Sequence, residues 1–215
     1  MTRSPRRRNV AGSDRLAVVW QAQILAALGR GMALTTAPSL TPERRLRKAR
    51  QSAKVAAALL RLAPPGLRRK ARGIDLALKG VRRMLAARRD ADARTEAFAR
   101  LTTGLSLPRK QVVRLERALA AEGRSVAPGR SGDLDEVARR FAAMRAQIEA
   151  WTLPDGAGQA VARTIAREYR RLRRDVRQAL SDENIAALHE LRKRVIRHRH
   201  HLALVAAVAG GAARG

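Results

Sequence analysis

The chain has no cysteine among its 215 residues, which excludes disulfides and thiolate metal sites and leaves the redox compartment open. Aromatic residues are nearly absent: Trp20, Trp151, Tyr169, Phe98 and Phe141 are the full set. Five scattered rings offer no stacking platform of the kind that holds single-stranded nucleic acid. Acidic residues are scarce, with 18 Asp plus Glu against 46 Lys plus Arg and a formal net charge of +28. No stretch reaches the roughly 18 uninterrupted apolar residues of a membrane-spanning helix, so no membrane insertion is expected. The basic start MTRSPRRRNVAGSDR precedes LAVVWQAQILAALG, which holds two glutamines and no convincing cleavage site. A cytoplasmic location is expected rather than a secretory one.

What is present is mostly alanine, leucine and arginine, with few strand formers. This composition and a helical period throughout predict an all-α protein, a helical bundle. The length is enough for one domain with a real core. Residues 1–12 read as a disordered basic tail, and Ser13 or Asp14 as the cap of a helix reaching about Gly29. Thr41-Pro42-Glu43 opens a second helix that stops before Ala63-Pro64-Pro65-Gly66. A third runs over 67–89 with a bend at Gly73 or Gly80, and a fourth over 91–102. Leu107-Pro108 opens another, ending near Glu122-Gly123. The Gly, Ser and Pro of GRSVAPGRSGD mark 123–133 as a linker. Helices follow over 134–151, 158–180 and 183–208, and 209–215 should fray.

An excess of 28 positive charges repels itself, so a polyanion is an expected partner. Arginine is the commonest cation, and its planar fork donates two parallel hydrogen bonds to a phosphate. The arginines are also arranged. An α-helix turns about 100° per residue, so Arg163, Arg167, Arg170, Arg174 and Arg177 share one sector of the helix over 162–180. Ile165, Tyr169, Leu172, Val176 and Leu180 lie opposite. Stacked like charges destabilise an isolated helix, an arrangement that suits a helix whose cations meet an anion. Arg44, Arg47, Lys48 and Lys54 repeat the pattern against Leu46, Ala49, Ala53, Ala57 and Leu60. LHELRKRVIRHRHH (188–201) holds all four histidines of the chain. There His189, Lys193 and His200 share a face with Arg197 at its edge, with Arg192 and Arg199 at the boundary. Leu188, Leu191, Val195 and Leu202 form the expected core side. Three such helices packed together would line one basic groove.

The pairing of LHELRKRV with the upstream YRRLRRDVRQAL resembles the CHAD domain, the conserved histidine α-helical domain. The signature residues are His189, Arg192, Lys193, Arg197 and Arg199, preceded by Tyr169, Arg170 and Arg174. A first, fainter copy is similar to ERRLRKARQSAKVAAALLRLAPPG, followed by Arg89, Asp90 and Asp92. The resemblance spans about 14–205 and implies two quasi-repeated helical halves, about 13–122 and 134–208. The second would be incomplete, since the chain stops about 20 residues after its motif. Arg44 stands where the first histidine belongs and Ile196 where a basic residue is usual.

The resemblance implies binding of inorganic polyphosphate through a basic cavity, with an association with polyphosphate granules. The alternative partner is nucleic acid, DNA or RNA, bound without sequence preference by the same net charge, which would place the chain at the nucleoid. No catalysis is expected: the Glu-x-Glu-x-Lys motif of the triphosphatase domain often fused to this family is absent. No cofactor is expected, and no metal either, since His198, His200 and His201 do not all face one way. The candidate phosphate-binding residues are therefore Arg44, Arg47, Lys48, Lys54, Arg163, Arg167, Arg170, Arg174, His189, Arg192, Lys193, Arg197, Arg199 and His200. Unprotected histidines would add charge below about pH 6.5.

Overall fold

The computed structural model describes residues 5–85, 131–181 and 185–212, together with 110, 112–114 and 117. Helix α1 (Pro5–Thr36) packs against four others: α2 (Pro42–Leu60), α4 (Ser131–Glu149), α5 (Ala157–Ser181) and α6 (Ile185–Ala212). Between α2 and α4 lie a 3-10 turn at Pro65–Leu67 and a helix α3 over 68–85. There is no strand among the described residues.

Helix α1 is longer than its sequence suggests. It starts at Pro5, absorbing most of the expected tail and the Ser13 and Asp14 caps, and it passes Gly29 to end at Thr36. Glycine inside a helix costs about 1 kcal/mol relative to alanine, and packing offsets this at Gly31. A Cβ there would stand 2.8 Å from the Phe141 ring, so the missing side chain is what lets α4 approach. The stretch Asp14–Thr36 is long and apolar enough on average to cross a membrane. In the fold, however, its Trp20, Ile24, Ala27 and Leu28 are fully buried in the bundle core.

The polar atoms of α1 close the ends of its neighbours. The last carbonyls of a helix lack partners within it. Trp20 Nε1 donates to Leu59 O in the last turn of α2 at 2.8 Å, and Gln21 Nε2 donates to Ile148 O and Trp151 O at the end of α4. Trp20 and Trp151 stack with centroids 6.1 Å apart. Gly156, with φ +69°, then turns the chain into α5 where an L side chain would be strained.

Helix α2 follows its pattern closely. Thr41 Oγ1 accepts from Arg44 N, Pro42 occupies the first turn, and Leu46, Ala49, Ala53, Ala57 and Leu60 are all buried. Alanines dominate this face, which lets helices approach closely. Helix α3 is continuous through Gly73 and Gly80, with Ile74, Leu78 and Val81 in the core. The expected helix over 91–102, most of the Leu107–Glu122 helix and Arg89, Asp90 and Asp92 fall outside the described residues, and residues 110, 112–114 and 117 are helical. So does most of the 123–133 linker, while Ser131 already begins α4. At the other end, α6 continues to Ala212 where fraying was expected from 209.

Candidate anion-binding site

Helices α5 and α6 run antiparallel. Asp175 pairs with Arg194, and six residues earlier on α5 Tyr169 stacks on His198, four residues later on α6, with ring centroids 5.5 Å apart. The hairpin closes against the end of α2, and at this junction sits a cavity of about 400 Å³. Helix α5 contributes Glu168, Arg171, Leu172, Arg174 and Asp175, and α6 contributes Arg194, Arg197, His198 and His201. Arg61, the residue that ends α2, completes the wall.

Five guanidinium groups from three segments thus meet two carboxylates. Arg171 Nη1 lies 3.2 Å from Glu168 Oε1, and Arg194 bonds Asp175 across the hairpin. Arg197 is the most enclosed of the five. Burial, and then the Arg61 guanidinium, hold its pKa below the usual arginine range, and Glu168 opposes them. Like charges crowded at one concavity favour whatever anion enters it.

The two histidines are neutral parts of this wall. His201 is 1% exposed and His198 6%. Burial, its first cause, lowers His201 to a pKa of about 4, against an opposing hydrogen bond to Ala58 O. Burial likewise lowers His198, with Glu168 opposing. His200, half-buried, is lowered by burial and by Arg199. The expectation that histidines add charge just below pH 6.5 therefore does not hold for these three. His198 and His201 meet edge to face at 5.6 Å, and the Arg173 guanidinium lies over the Tyr169 ring, 6.0 Å from its centroid.

Of the residues chosen from sequence, the cavity brings together Arg174 and Arg197. Arg44, Arg47, Lys48 and Lys54 lie exposed on α2, and Arg163, Arg167 and Arg170 on α5, and none lines the cavity. His189, Arg192, Lys193 and Arg199 are exposed on α6, His200 is half-buried, and these too lie outside it. Lys193 Nζ is held by Glu190 Oε1 at 2.6 Å on the surface.

On α6 the difference has one cause: the helix is rotated from its expected setting. Leu188, Val195 and Leu202, assigned to the core, are 44%, 47% and 54% exposed, while His198, His201 and Leu204 face inward. Basic and apolar residues alternate around this helix, so periodicity does not choose its buried side. A usable signal existed nonetheless. Glu168, Arg171, Leu172 and Asp175 fall at i, i+3, i+4 and i+7, as do Arg194, Arg197, His198 and His201. The second line continues into Leu204 and Val208, both packed in the core.

Among the described residues no group of His, Asp and Glu is placed to hold a metal ion. A family model for the CHAD domain matches residues 33–215. The chain belongs to the CHAD domain family. CHAD domains are associated in general with polyphosphate binding or metabolism. No curated protein and no solved structure matches the chain. The CHAD match begins inside α1, so Trp20, Ile24 and Leu28 precede it, yet they form part of the same core as the CHAD helices.

Proposed function

We propose that this CHAD protein binds inorganic polyphosphate without catalysis, at the cavity formed by the end of α2, α5 and α6. The observation that carries the reading is the convergence of Arg61, Arg171, Arg174, Arg194 and Arg197 on one concave surface. Polyphosphate presents charge and oxygen acceptors but no bases, so its capture calls for a density of guanidinium donors rather than aromatic platforms. The exposed arginines outside the cavity, such as Arg163, Arg167 and Arg170, extend the positive field along α5 and can follow the rest of a long chain. A protein working this way would be found with polyphosphate granules in the cytoplasm.

The test is competition at near-physiological salt between long-chain polyphosphate, duplex DNA and single-stranded RNA. Polyphosphate should win, and the triple charge reversal Arg61→Glu/Arg174→Glu/Arg197→Glu should lower its affinity far more than Arg44→Glu/Arg47→Glu/Lys48→Glu. Equal losses from the two triples would mean that only total charge matters, and the reading would then give way to non-specific polyanion or nucleic-acid binding.

A further inference from the structure

His201 Nε2 lies 3.1 Å from Ala58 O. A carbonyl oxygen only accepts, so Nε2 carries the hydrogen and, in the neutral ring, Nδ1 is a bare lone pair. That Nδ1 is buried without a hydrogen-bond partner, and so are both ring nitrogens of His198. Of each neutral imidazole, one nitrogen is an acceptor, so two residues that line the cavity each hold a buried acceptor without a donor. An unsatisfied buried polar group is costly. The arrangement is completed by a ligand that arrives with a proton or causes one to be taken up.

Charged groups from three elements share the cavity with this pair. Arg61 stands at the end of α2, Glu168 and Asp175 on α5 with Arg171 and Arg174, and Arg194 and Arg197 on α6 itself. The charged residues of α1 with described side chains, Asp14, Arg15 and Arg30, are exposed, and none lines the cavity.

Resting on the polyphosphate reading, we propose that the wall made by His198 and His201 receives the terminal phosphate of a chain. One proton is then held between that phosphate and the imidazoles. A chain end is the only part of a linear polyphosphate with a proton that titrates near neutrality, at a pKa of about 6 by analogy with phosphomonoesters. Interior phosphates are monoanions with no such proton. Magnitudes favour the end as well. A unit charge about 4 Å away at intermediate dielectric changes a protonation ratio roughly a thousandfold. His201, with a pKa of about 4, is protonated about one part in a thousand at pH 7. An interior monoanion would therefore only bring it to balance, whereas a dianionic end would drive protonation to completion.

Calorimetry of the full-length protein near pH 7, in two buffers of different ionisation enthalpy, reads the sign of the proton balance. Linear tripolyphosphate, which has two ends, should bind with uptake approaching one proton per site, and cyclic trimetaphosphate, which has none, with at most about half as much. A site made of arginines alone would do the reverse, stabilising the dianion and releasing protons. His198→Gln, which hydrogen-bonds but does not take up a proton, should reduce the uptake, while His189→Gln on the exposed face should leave it unchanged. If His198→Gln fails to fold, His201→Gln serves in its place. Proton release or no exchange with the linear chain, or equal uptake with the ring, overturns the chain-end inference while long-chain binding still stands. If long-chain polyphosphate itself does not bind, both readings fall together.

Discussion

His201 reaches back 143 residues to hydrogen-bond the carbonyl oxygen of Ala58 through Nε2. That bond fixes α6 against the last turn of α2 and turns the His198–His201 pair inward. It also makes stability depend on pH in a definite direction. Burial lowers the folded pKa of His201 from 6.5 to about 4, so between these values the unfolded chain holds more protons than the folded one. Stability is therefore complete above about pH 6.5 and is lost as pH falls towards 4, by up to about 3 kcal/mol from this residue. Chemical denaturation from pH 7 to pH 4 should show this decline, and His201→Gln should be less stable at pH 7 with a flatter dependence. An equally steep curve in the variant would assign the decline to other groups.

Two glycines should respond to alanine in opposite directions. At Gly31 the new Cβ would press on the Phe141 ring at 2.8 Å, and Phe141 is fully buried. Overpacking of that kind costs about 1–3 kcal/mol, which exceeds the helix-propensity gain. At Gly73, an exposed position inside α3, nothing lies within 4 Å, so Gly73→Ala should stabilise by up to about 1 kcal/mol. Thermal melts of the two variants check the sign of each.

Asp175→Asn should strengthen polyanion binding. Asp175 holds Arg194 in an ion pair at the cavity wall, and the aspartate side chain is 32% exposed. A partly exposed pair contributes at most about 1 kcal/mol to stability, so the melting temperature without ligand should barely move. Removing the carboxylate takes away a repulsive charge and frees a guanidinium, and the Kd for long-chain polyphosphate at moderate salt should fall several-fold. A weaker complex would show that Asp175 positions Arg194 for the ligand.

Trp20→Phe should destabilise the junction from the other side. The indole N–H donates to Leu59 O at 2.8 Å beside the Ala58 carbonyl that His201 uses. Losing one buried hydrogen bond and part of a fully buried ring costs about 1–3 kcal/mol. Urea titration should show a lower midpoint with an unchanged slope.

Much of the fold could be read in the chain. The alanine and leucine line of α2 and its Thr41-Pro42-Glu43 start stand where periodicity and capping put them, because both are local properties. The extent of α1 could not be read, because Gly29 and Gly31 look like a helix end until the Phe141 ring is seen against Gly31. For the cavity, Arg174 and Arg197 were identifiable as cations at helical spacing, whereas Arg61 lies just past a helix and carries no periodic signal.

Composition and local pattern were enough to specify helices, an overwhelming positive charge and the CHAD resemblance, since each follows from residue type and near-neighbour spacing. They also fix the angle between any two side chains on one helix. They do not fix how far that helix is rotated towards its neighbours. For α6 that rotation is decided by contacts with residues distant in sequence, Asp175 to Arg194, Tyr169 to His198 and His201 to Ala58. Those contacts turn the histidines inward, leave Val195 and Leu202 in solvent, and select which arginines share a cavity.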